Sequence, residues 1–456
     1  MTEAGPGAKR VSFVTLGCKV NQYETQAFRE ALGGEGFVEA GEGETADVVV
    51  VNACVVTGTA ERESRSAVRR ALRRNPGARV VATGCLTAKS KAILSELADV
   101  EIVAAEEKNQ VAAVAAERAP DLVPSSVSGL SIRGMAGRAR AFVKVQDGCG
   151  LNCSFCIIPT VRGSLRSRAA ADIVAEVREL ARTGYREIVL TGVHLGHYGR
   201  GKGERDRLHR LLAELAGVEG IARIRLSSIE SVELRPELLD VLASSEVFCP
   251  HFHLPLQSGN DRVLAAMRRR YTVAEFMAGV EDLWRRFERP SLSTDVIIGF
   301  PTETEAEFED TLRIMRECGF GRTHVFRYSD REGTDAAAMT PKVPPAEKQE
   351  RTARAIALGD RLARRYSRLF LGEAVEFLAE SRSAGPGGEL WSGYSERYLK
   401  LEVADPEGRL ASGGIAPVRI DSVAADGVCR GTVVAPGVAA TVNEAEARRR
   451  LLPVIG

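Results

Sequence analysis

Short apolar runs recur along most of this chain and alternate with stretches of helical periodicity. In the first segment the runs cover residues 11–18, 46–54, 78–85 and 100–105. They are continuous in Val and Ile rather than alternating with polar residues, which is typical of strands covered on both faces. Strand–helix repeats of about 30 residues have the length of βαβ units. The sequence therefore predicts an N-terminal α/β domain with a parallel sheet.

A second strand–helix series follows residues 121–140, whose richness in Ser, Gly, Pro and Arg is typical of a linker. The helices predicted within and after this series include 206–217, 260–270, 303–318 and a basic helix at 346–370. The predicted strands are 141–146, 187–192, 224–228, 251–256, 293–300 and 323–328. Six βα units over about 190 residues favour a barrel or partial (βα)6 barrel over an open doubly wound sheet.

The last segment, from residue 372 to about 434, alternates apolar and polar residues and contains several glycines. This pattern predicts a small antiparallel β-barrel. The fold class is thus α/β with an added β-barrel, and the predicted domains are 8–125, 135–370 and 372–436.

The composition is that of a globular protein, with 44% hydrophobic and 27% charged residues in 456 and a net charge of +1. No run approaches the roughly 20 apolar residues that span a bilayer. The first residues also lack the apolar core of a signal peptide. We therefore expect a cytoplasmic protein with no membrane partner. In such a protein, nine cysteines favour metal binding, redox chemistry or core positions over disulfides.

Cys149, Cys153 and Cys156 are spaced C-x3-C-x2-C directly after the first predicted barrel strand. This spacing can wrap a 4Fe–4S cluster, and the glycines at 148 and 150 let the backbone approach it. Three thiolates leave one iron without a protein ligand, so a substrate can bind there. The alternative is a zinc knuckle or a set of core cysteines. Structural zinc usually takes four ligands, however, and no fourth Cys or His lies nearby in the sequence.

Cys18, Cys54 and Cys85 each follow an apolar strand directly and are 36 and 31 residues apart. Because the carboxyl ends of parallel strands share one edge, the three thiols are expected to converge on a second metal cluster. The alternative is three buried cysteines in tight turns. Cys249, Cys318 and Cys429 show no such pattern and are interpreted as ordinary core or surface thiols.

The C-x3-C-x2-C loop, with Phe155 before its last cysteine and a βα barrel after it, resembles the radical S-adenosylmethionine enzymes. The resemblance implies that the open iron binds the amino and carboxylate groups of the methionine moiety. An electron then breaks a C–S bond of the sulfonium and yields a 5′-deoxyadenosyl radical.

Nearly the whole chain resembles the methylthiotransferases within that superfamily, in which the C-terminal domain is a TRAM domain. The motifs that carry this resemblance are Gly17–Gln22, Arg162-Gly163 with Ser167-Arg168, His253–Gly259 and Asp295–Pro301. It implies two 4Fe–4S clusters, with S-adenosylmethionine as both radical source and methyl donor. It also implies a reaction that replaces a C–H bond by C–S–CH3.

The resemblance further implies a set of cofactor-binding residues. Thr191 and Gly192 are expected to meet the methionine amino group, and Ser228 and Glu230 to lie near the ribose or carboxylate. Phe155 and Gln257 are expected to line the pocket, and the segment from Val296 through Ile298 to Gly299 to pass the adenine. For Ile297 and Ile298 the alternative is barrel core, and for Glu230 it is the start of a helix.

The residues Lys19–Glu24 resemble the branch that acts on N6-threonylcarbamoyladenosine next to the anticodon of tRNA. The alternatives are the branches for isopentenyladenosine in tRNA and for an aspartate of a ribosomal protein, and a non-enzymatic iron–sulfur sensor that binds RNA. The expected partners are the tRNA anticodon stem-loop, a reducing electron-transfer protein and a sulfur donor. We expect a monomer.

The overall charge of the chain does not indicate an RNA partner, but two predicted helices are strongly basic. Residues 61–74 carry six arginines against two glutamates, and residues 346–370 carry seven basic against three acidic side chains. Either helix can contact phosphates, or can simply be a solvated surface. The C-terminal segment is acidic, although its aromatic residues Trp391, Tyr394 and Tyr398 offer surfaces for stacking on bases.

Overall fold

The N-terminal domain is a parallel sheet with strand order β2-β1-β3-β4-β5. The computed structural model of the protein describes residues 8–118, 129–200, 207–385 and 388–435. The elements of this domain are β1 (Arg10–Thr15), α1 (Lys19–Gly34), β2 (Val38–Glu39), β3 (Val48–Ala53), α2 (Gly58–Arg74), β4 (Arg79–Gly84), α3 (Ala88–Ser95), β5 (Val100–Ile102) and α4 (Val111–Ala115). Every residue of β3 is buried, which confirms the prediction of a sheet covered on both faces.

The sequence pattern predicts a helical stretch from Gln22 to near Gly33-Gly34, but helix α1 begins three residues earlier. Cys18 is in extended conformation and is the N-cap residue, so the helix begins at Lys19. The sequence-based boundary was wrong because Cys18 is not one of the residues whose side chains usually cap helices. The consequence is that Lys19 lies in the first helical turn, directly beside the end of β1.

The central domain is a partial barrel of six parallel strands in the order β6-β8-β9-β10-β11-β12. Hydrogen-bonded pairing joins β6, β8 and β9 in one sheet and β10, β11 and β12 in another, and isolated bridges such as Ser228↔His253 connect the two. Within the described residues, β6 and β12 are not paired, so the barrel is open between them. The elements are β6 (Arg140–Asp147), α5 (Ile158–Arg162), β7 (Arg166–Ser167), α6 (Ala170–Arg182), β8 (Glu187–Gly192), α7 (Leu208–Ala216), β9 (Arg223–Leu226), α8 (Pro236–Ala243), β10 (His251–His253), α9 (Asp261–Ala266), α10 (Val273–Arg286), β11 (Ser291–Ile298), α11 (Glu305–Cys318), β12 (Arg322–Arg327), α12 (Asp335–Ala338) and α13 (Pro345–Arg368).

The C-terminal domain is a closed five-stranded barrel, as predicted. Its strands are β13 (Ala374–Gly385), β14 (Gly388–Ser395), β15 (Lys400–Ala404), β16 (Ile415–Val423) and β17 (Cys429–Val433), in the order β13-β14-β15-β17-β16. The barrel is not wholly antiparallel, because β15 and β17 run in the same direction. Strand β16 pairs with β13 and closes the barrel. The last strand, β17, then lies between β15 and β16; it runs antiparallel to β16 and parallel to β15.

Part of the predicted linker is packed structure. Leu130 and Ile132 are buried, and the Tyr23 hydroxyl donates a hydrogen bond to the Leu130 carbonyl at 2.8 Å. The Ile132 amide donates to Glu176 of α6 at 2.9 Å. Residues 129–139 therefore join the first two domains rather than separate them, while residues 121–128 of the predicted linker lie outside the described residues.

In the part of the chain that the structure describes, no helix has both the length and the apolar character that crossing a bilayer requires.

Candidate active site

Cys149, Cys153 and Cys156 lie in the loop between β6 and α5, at the carboxyl end of the first barrel strand. Cys153 is buried, and the other two are partly exposed. Gly148 has a φ of +71°, and a Cβ at this position would lie 2.1 Å from the carbonyl oxygen of Ser164. Only glycine lets the loop turn here so tightly against residues 163 and 164. Burial above all, together with the neighbouring charges of Cys153 and Cys149, raises the pKa of Cys156 to about 12.

The spacing of the thiols fits a cluster better than a single metal ion. A tetrahedral zinc with Zn–S bonds of about 2.3 Å would hold its sulfurs about 3.8 Å apart. The described groups of three His, Cys, Asp or Glu residues whose donor atoms all lie within 4.8 Å of one another contain no cysteine. Within the described residues the three thiols of the loop therefore do not form so compact a group, and their donor chemistry suits a multi-iron cluster.

Two cationic side chains contact this loop, and the sequence pattern did not identify either. His194 Nδ1 lies 3.9 Å from the Cys149 sulfur, while its Nε2 lies 2.8 Å from Glu233. Burial opposes protonation, but the hydrogen bonds with Cys149 and Glu233 raise the pKa of His194 to about 9. Arg269 Nη1 donates to the Cys153 sulfur at 3.5 Å. Glu233 thus orients the His194 ring, and its other nitrogen adjoins the Cys149 sulfur.

Cys18, Cys54 and Cys85 lie at the carboxyl ends of β1, β3 and β4, which are neighbours in the N-terminal sheet. A Cβ on Gly17 would lie 2.8 Å from the Cys54 sulfur, so this sharp turn before Cys18 requires glycine. Burial raises the pKa of Cys54 to about 11, and the charges of Cys85 and Cys18 add to the shift. The structure thus brings the three cysteines together at the edge where the sequence predicted them.

Arg162, which is 1% exposed, connects the two cysteine sites. Its Nε donates to the Cys85 sulfur at 3.1 Å, and its Nη1 donates to Asp147 at 2.9 Å and to Glu24 at 3.1 Å. Asp147 comes just before the C-x3-C-x2-C loop, and Glu24 belongs to α1. One guanidinium therefore joins both predicted cluster sites through buried hydrogen bonds.

The network around Arg162 carries an excess of positive charge. Lys144 and Lys108 each bind Glu24, at 2.9 Å and 2.7 Å, and Lys144 also binds Asp147 at 2.8 Å. All five side chains are buried, and three cations face two carboxylates. Burial raises the pKa of Cys85, but Arg162 and Lys108 oppose that rise, so a Cys85 thiolate would balance the charge. This donor chemistry suits a thiolate that binds metal.

A cavity of about 190 Å³ lies beside the C-x3-C-x2-C loop, where residues of the N-terminal domain meet the ends of the barrel strands. Its walls include Thr57 from the N-terminal domain, Cys156 of the loop, and Asp295 and Phe326 from the ends of the last barrel strands. Of the predicted cofactor-binding residues, Phe155 and Gln257 line this cavity. The side chains of Val296 and Ile298 are fully buried in the barrel core, and the residue between them, Ile297, faces the cavity.

A second cavity, of about 230 Å³, lies on the other side of the loop and is lined by Leu151, His194, Glu230 and Arg269. Glu230 forms an ion pair with Arg269 and also begins a 3₁₀ turn through a capping box with Glu233. The position of Glu230 is therefore compatible with both predicted roles, a contact with the cofactor and the start of a helical turn.

The remaining predicted cofactor-binding residues lie at the end of β8 or just beyond the end of β9. Thr191 is buried, and Gly192 packs against Gln146, where a Cβ would lie 2.9 Å from the Gln146 side-chain oxygen. Ser228 bridges to His253 of β10. Cys249, Cys318 and Cys429 are buried, and Cys318 and Cys429 pack in hydrophobic clusters of the barrel and of the C-terminal domain, respectively.

Known proteins resemble the chain in both of its larger domains. The profile of the Radical SAM superfamily matches residues 143–315, and that of the uncharacterized protein family UPF0004 matches residues 10–105. A solved radical S-adenosylmethionine methyltransferase, TsrM from Kitasatospora setae, superposes with a TM-score of 0.53 at 15% identity, over 72% of this chain and 77% of that one. This likeness confirms the predicted fold.

Sequence relatives extend over nearly the full length. The threonylcarbamoyladenosine tRNA methylthiotransferase MtaB of Bacillus subtilis is 38% identical over 90% of this chain and 93% of its own. The MtaB protein of Chlamydia pneumoniae is 36% identical over 91% of this chain and 96% of its own. A tRNA-2-methylthio-N(6)-dimethylallyladenosine synthase of Corynebacterium efficiens is 33% identical over 83% of this chain and 76% of its own. With two separate thiol triads and these relatives along its length, the chain belongs to the radical S-adenosylmethionine methylthiotransferase family.

Proposed function

We propose that this enzyme attaches a methylthio group to C2 of N6-threonylcarbamoyladenosine beside the anticodon of tRNA. The observation that carries the proposal is the 38% identity to the Bacillus subtilis threonylcarbamoyladenosine enzyme over 90% of the chain. The cavity beside the C-x3-C-x2-C loop supports it, because residues that follow Cys54 and residues that follow Cys156 both line this cavity. The carbon that is activated and the sulfur that is delivered must meet in one place.

In this proposal, Cys149, Cys153 and Cys156 hold one 4Fe–4S cluster, and Cys18, Cys54 and Cys85 hold the other. When bound, the clusters supply the electron that cleaves S-adenosylmethionine and the site from which the methylated sulfur is transferred. His194 and Arg269 place positive charge beside the first set of thiolates, and Arg162 does so beside the second. Such contacts stabilise the negative charge that thiolate ligation concentrates in a buried site.

The substrate base would enter the cavity of about 190 Å³, where Phe155, Phe326 and Tyr328 provide aromatic surface. Stacking on aromatic side chains is the usual way to hold an unstacked base outside a helix. Gln257 and Asp295 supply hydrogen-bonding groups in the same walls. The cofactor-binding roles of Thr191, Gly192, Ser228 and Glu230 stay predictions, as do the electron-transfer partner, the sulfur donor, the TRAM assignment and action as a monomer.

The arginine face of α2 is the surface that best suits the tRNA backbone. Thr57, the N-cap residue of α2, lines the cavity. Farther along this helix, Arg69, Arg70, Arg73 and Arg74 are exposed and have no carboxylate within 4.0 Å among the described residues. By contrast, Arg351 and Arg354 of the other basic helix, α13, form ion pairs with Glu303 and Glu305. Arginines that are already paired contribute little to phosphate binding.

Replacing Arg69, Arg70 and Arg73 by glutamine is expected to weaken tRNA binding and to reduce its dependence on salt. Each lost phosphate contact should lower the slope of log Kd against log salt by about 0.7 to 0.9. The measurement is the tRNA Kd over a series of salt concentrations. A control triple variant, with Arg182, Arg285 and Arg313 changed to glutamine, removes the same charge from arginines that are paired on their own helices. Equal losses in the two triple variants would contradict a specific role for α2.

Deleting the gene is expected to remove 2-methylthio-N6-threonylcarbamoyladenosine from cellular tRNA and to leave its unthiolated precursor in its place. Mass spectrometry of tRNA nucleosides, with the mass of the ribosomal protein measured in the same cells, distinguishes the branches. Complementation with the wild-type chain should restore the modification. Loss of the methylthio group from isopentenyladenosine instead would overturn the proposed substrate while leaving the family unchanged.

A further inference from the structure

Two histidines and an aspartate that belong to neither thiol triad lie together in the barrel. His253, Asp295 and His324 come from β10, β11 and β12, and one donor atom of each lies within 4.8 Å of the other two. The strand register brings them together, because Asp295 is paired with His324, and His253 is paired with Ser293. Residues two apart along a strand share a face, so all three side chains lie on one face of the sheet.

This face of the sheet borders the cavity of about 190 Å³. Asp295 lines the cavity, and so does Phe326, which lies two residues beyond His324 on the same strand. The side chains of His253 and Asp295 are 16% and 28% exposed. The three potential ligands therefore lie partly exposed beside the cavity, not sealed in the apolar core.

Ser293 orients the ring of His253. Its hydroxyl donates to the Phe252 carbonyl at 3.5 Å, and its oxygen lies 3.0 Å from His253 Nδ1 and 3.1 Å from His251 Nε2. The hydroxyl oxygen thus accepts from His253 Nδ1, which leaves the lone pair on Nε2, 3.2 Å from an Asp295 oxygen. A hydrogen bond at the far nitrogen is the usual arrangement behind a histidine that binds metal.

No other side chain occupies the remaining donor atoms of this group. In the part of the chain that the structure describes, neither nitrogen of His324 makes a hydrogen bond, and its ring lies 5.8 Å from that of His253. Among the same residues, no Lys or Arg nitrogen lies within 4.0 Å of the Asp295 carboxylate. Arg322, on the same strand as His324, packs its guanidinium 5.5 Å from the centre of the Tyr398 ring.

A second compact group, His194, His197 and Glu233, differs in this respect. One oxygen of Glu233 already lies 2.8 Å and 3.3 Å from the Nε2 atoms of His194 and His197, and its other oxygen accepts from the Glu230 amide at 3.2 Å. The carboxylate of this group is therefore satisfied by hydrogen bonds within the protein. It provides an internal comparison for the group in the barrel.

Two imidazoles and a carboxylate form a donor set that is typical of zinc, iron and manganese sites. With metal–ligand bonds of about 2.1 Å, tetrahedral geometry places donor atoms about 3.4 Å apart. The distance of 3.2 Å between His253 and Asp295 is close to that value. We propose that His253, Asp295 and His324 bind one divalent transition-metal ion beside the cavity, separate from the irons of the two clusters. Three protein ligands leave such an ion an open position for an exchangeable ligand.

Zinc binding to the anaerobic holoenzyme tests the proposal. Zn²⁺ is the probe, because such ligands bind it more tightly than Fe²⁺ or Mn²⁺. Competition with a fluorescent zinc indicator measures Kd and stoichiometry, and iron content is measured before and after. The wild type is expected to bind about one Zn²⁺ per chain without losing iron. His324→Gln, which removes a ligand, should weaken zinc binding about 100-fold or more, and Ser293→Ala, which removes only the hydrogen bond behind His253, about 10-fold or more.

Two histidine variants are the controls. His209→Gln changes a histidine of α7 that belongs to neither compact group in the described chain, and His197→Gln changes the second group. Both should bind zinc as the wild type does. A wild type that binds no zinc, or binds it only as iron is lost, would overturn the proposal. Equal zinc affinity in the His324→Gln and His209→Gln variants would do the same, and so would a loss of binding in His197→Gln that matches the loss in His324→Gln. Ser293→Ala keeps all three ligands, so it tests the site even where His324→Gln does not fold.

Discussion

Replacing Cys149 by alanine is expected to abolish the production of 5′-deoxyadenosine, whereas replacing Cys18 is expected to abolish only methylthio transfer. Cys149 belongs to the loop at the end of β6, beside His194, and Cys18 belongs to the separate triad of the N-terminal sheet. Loss of either ligand leaves two thiolates at its site, too few to hold a cluster against solvent. Each variant should retain about four of the roughly eight irons of the reconstituted enzyme.

Two assays separate the effects. Anaerobic incubation with S-adenosylmethionine and reductant measures 5′-deoxyadenosine, and mass spectrometry of the tRNA measures the methylthio product. Cys249→Ala is the control, because Cys249 is buried and belongs to neither triad. A Cys18→Ala variant that makes the full product, or a Cys149→Ala variant that still cleaves S-adenosylmethionine, would contradict the division of roles between the two triads.

Replacing Arg162 by methionine is expected to lower the free energy of unfolding by about 3–5 kcal/mol, since removing one member of a buried ion network strands its partners. The guanidinium donates to Cys85, Asp147 and Glu24 in a region from which water is excluded. Asp147 and Glu24 would keep their ion pairs with Lys144. The hydrogen bonds through which Arg162 joins the N-terminal domain to the cluster loop would be lost. The second effect should be a lower iron content, because the Cys85 thiolate loses its nearest cation.

The measurement is the urea-unfolding midpoint of the iron-free protein, together with the iron content after reconstitution. Arg313→Met is the control, because Arg313 is exposed and pairs with Asp310 and Glu317 on its own helix. Pairs of that kind contribute about 0.2–1 kcal/mol. Equal stability of the Arg162 and Arg313 variants would show that the buried network does not hold the two domains together.

The sequence located the strands and the thiols well because these features are local. Continuous Val and Ile runs predicted β3 and β4, and the cysteines come directly after those strands. Parallel strands align their carboxyl ends, so placing Cys18, Cys54 and Cys85 together needed only the strand order. The parallel pair of β15 and β17 was missed because it depends on strands far apart in sequence. The helix start at Lys19 was missed because Cys18 is an uncommon N-cap residue.

By itself, then, the sequence determined the fold class, both sets of cysteines and the family of this protein, since spacing and strand periodicity are written along the chain. Only the tertiary structure decided which charges surround those cysteines. His194 is 45 residues from Cys149, and Glu24 is 138 residues from Arg162, so no local pattern can pair them. Burial then requires each of these charges to find a partner, and only the folded chain determines which partner is within reach.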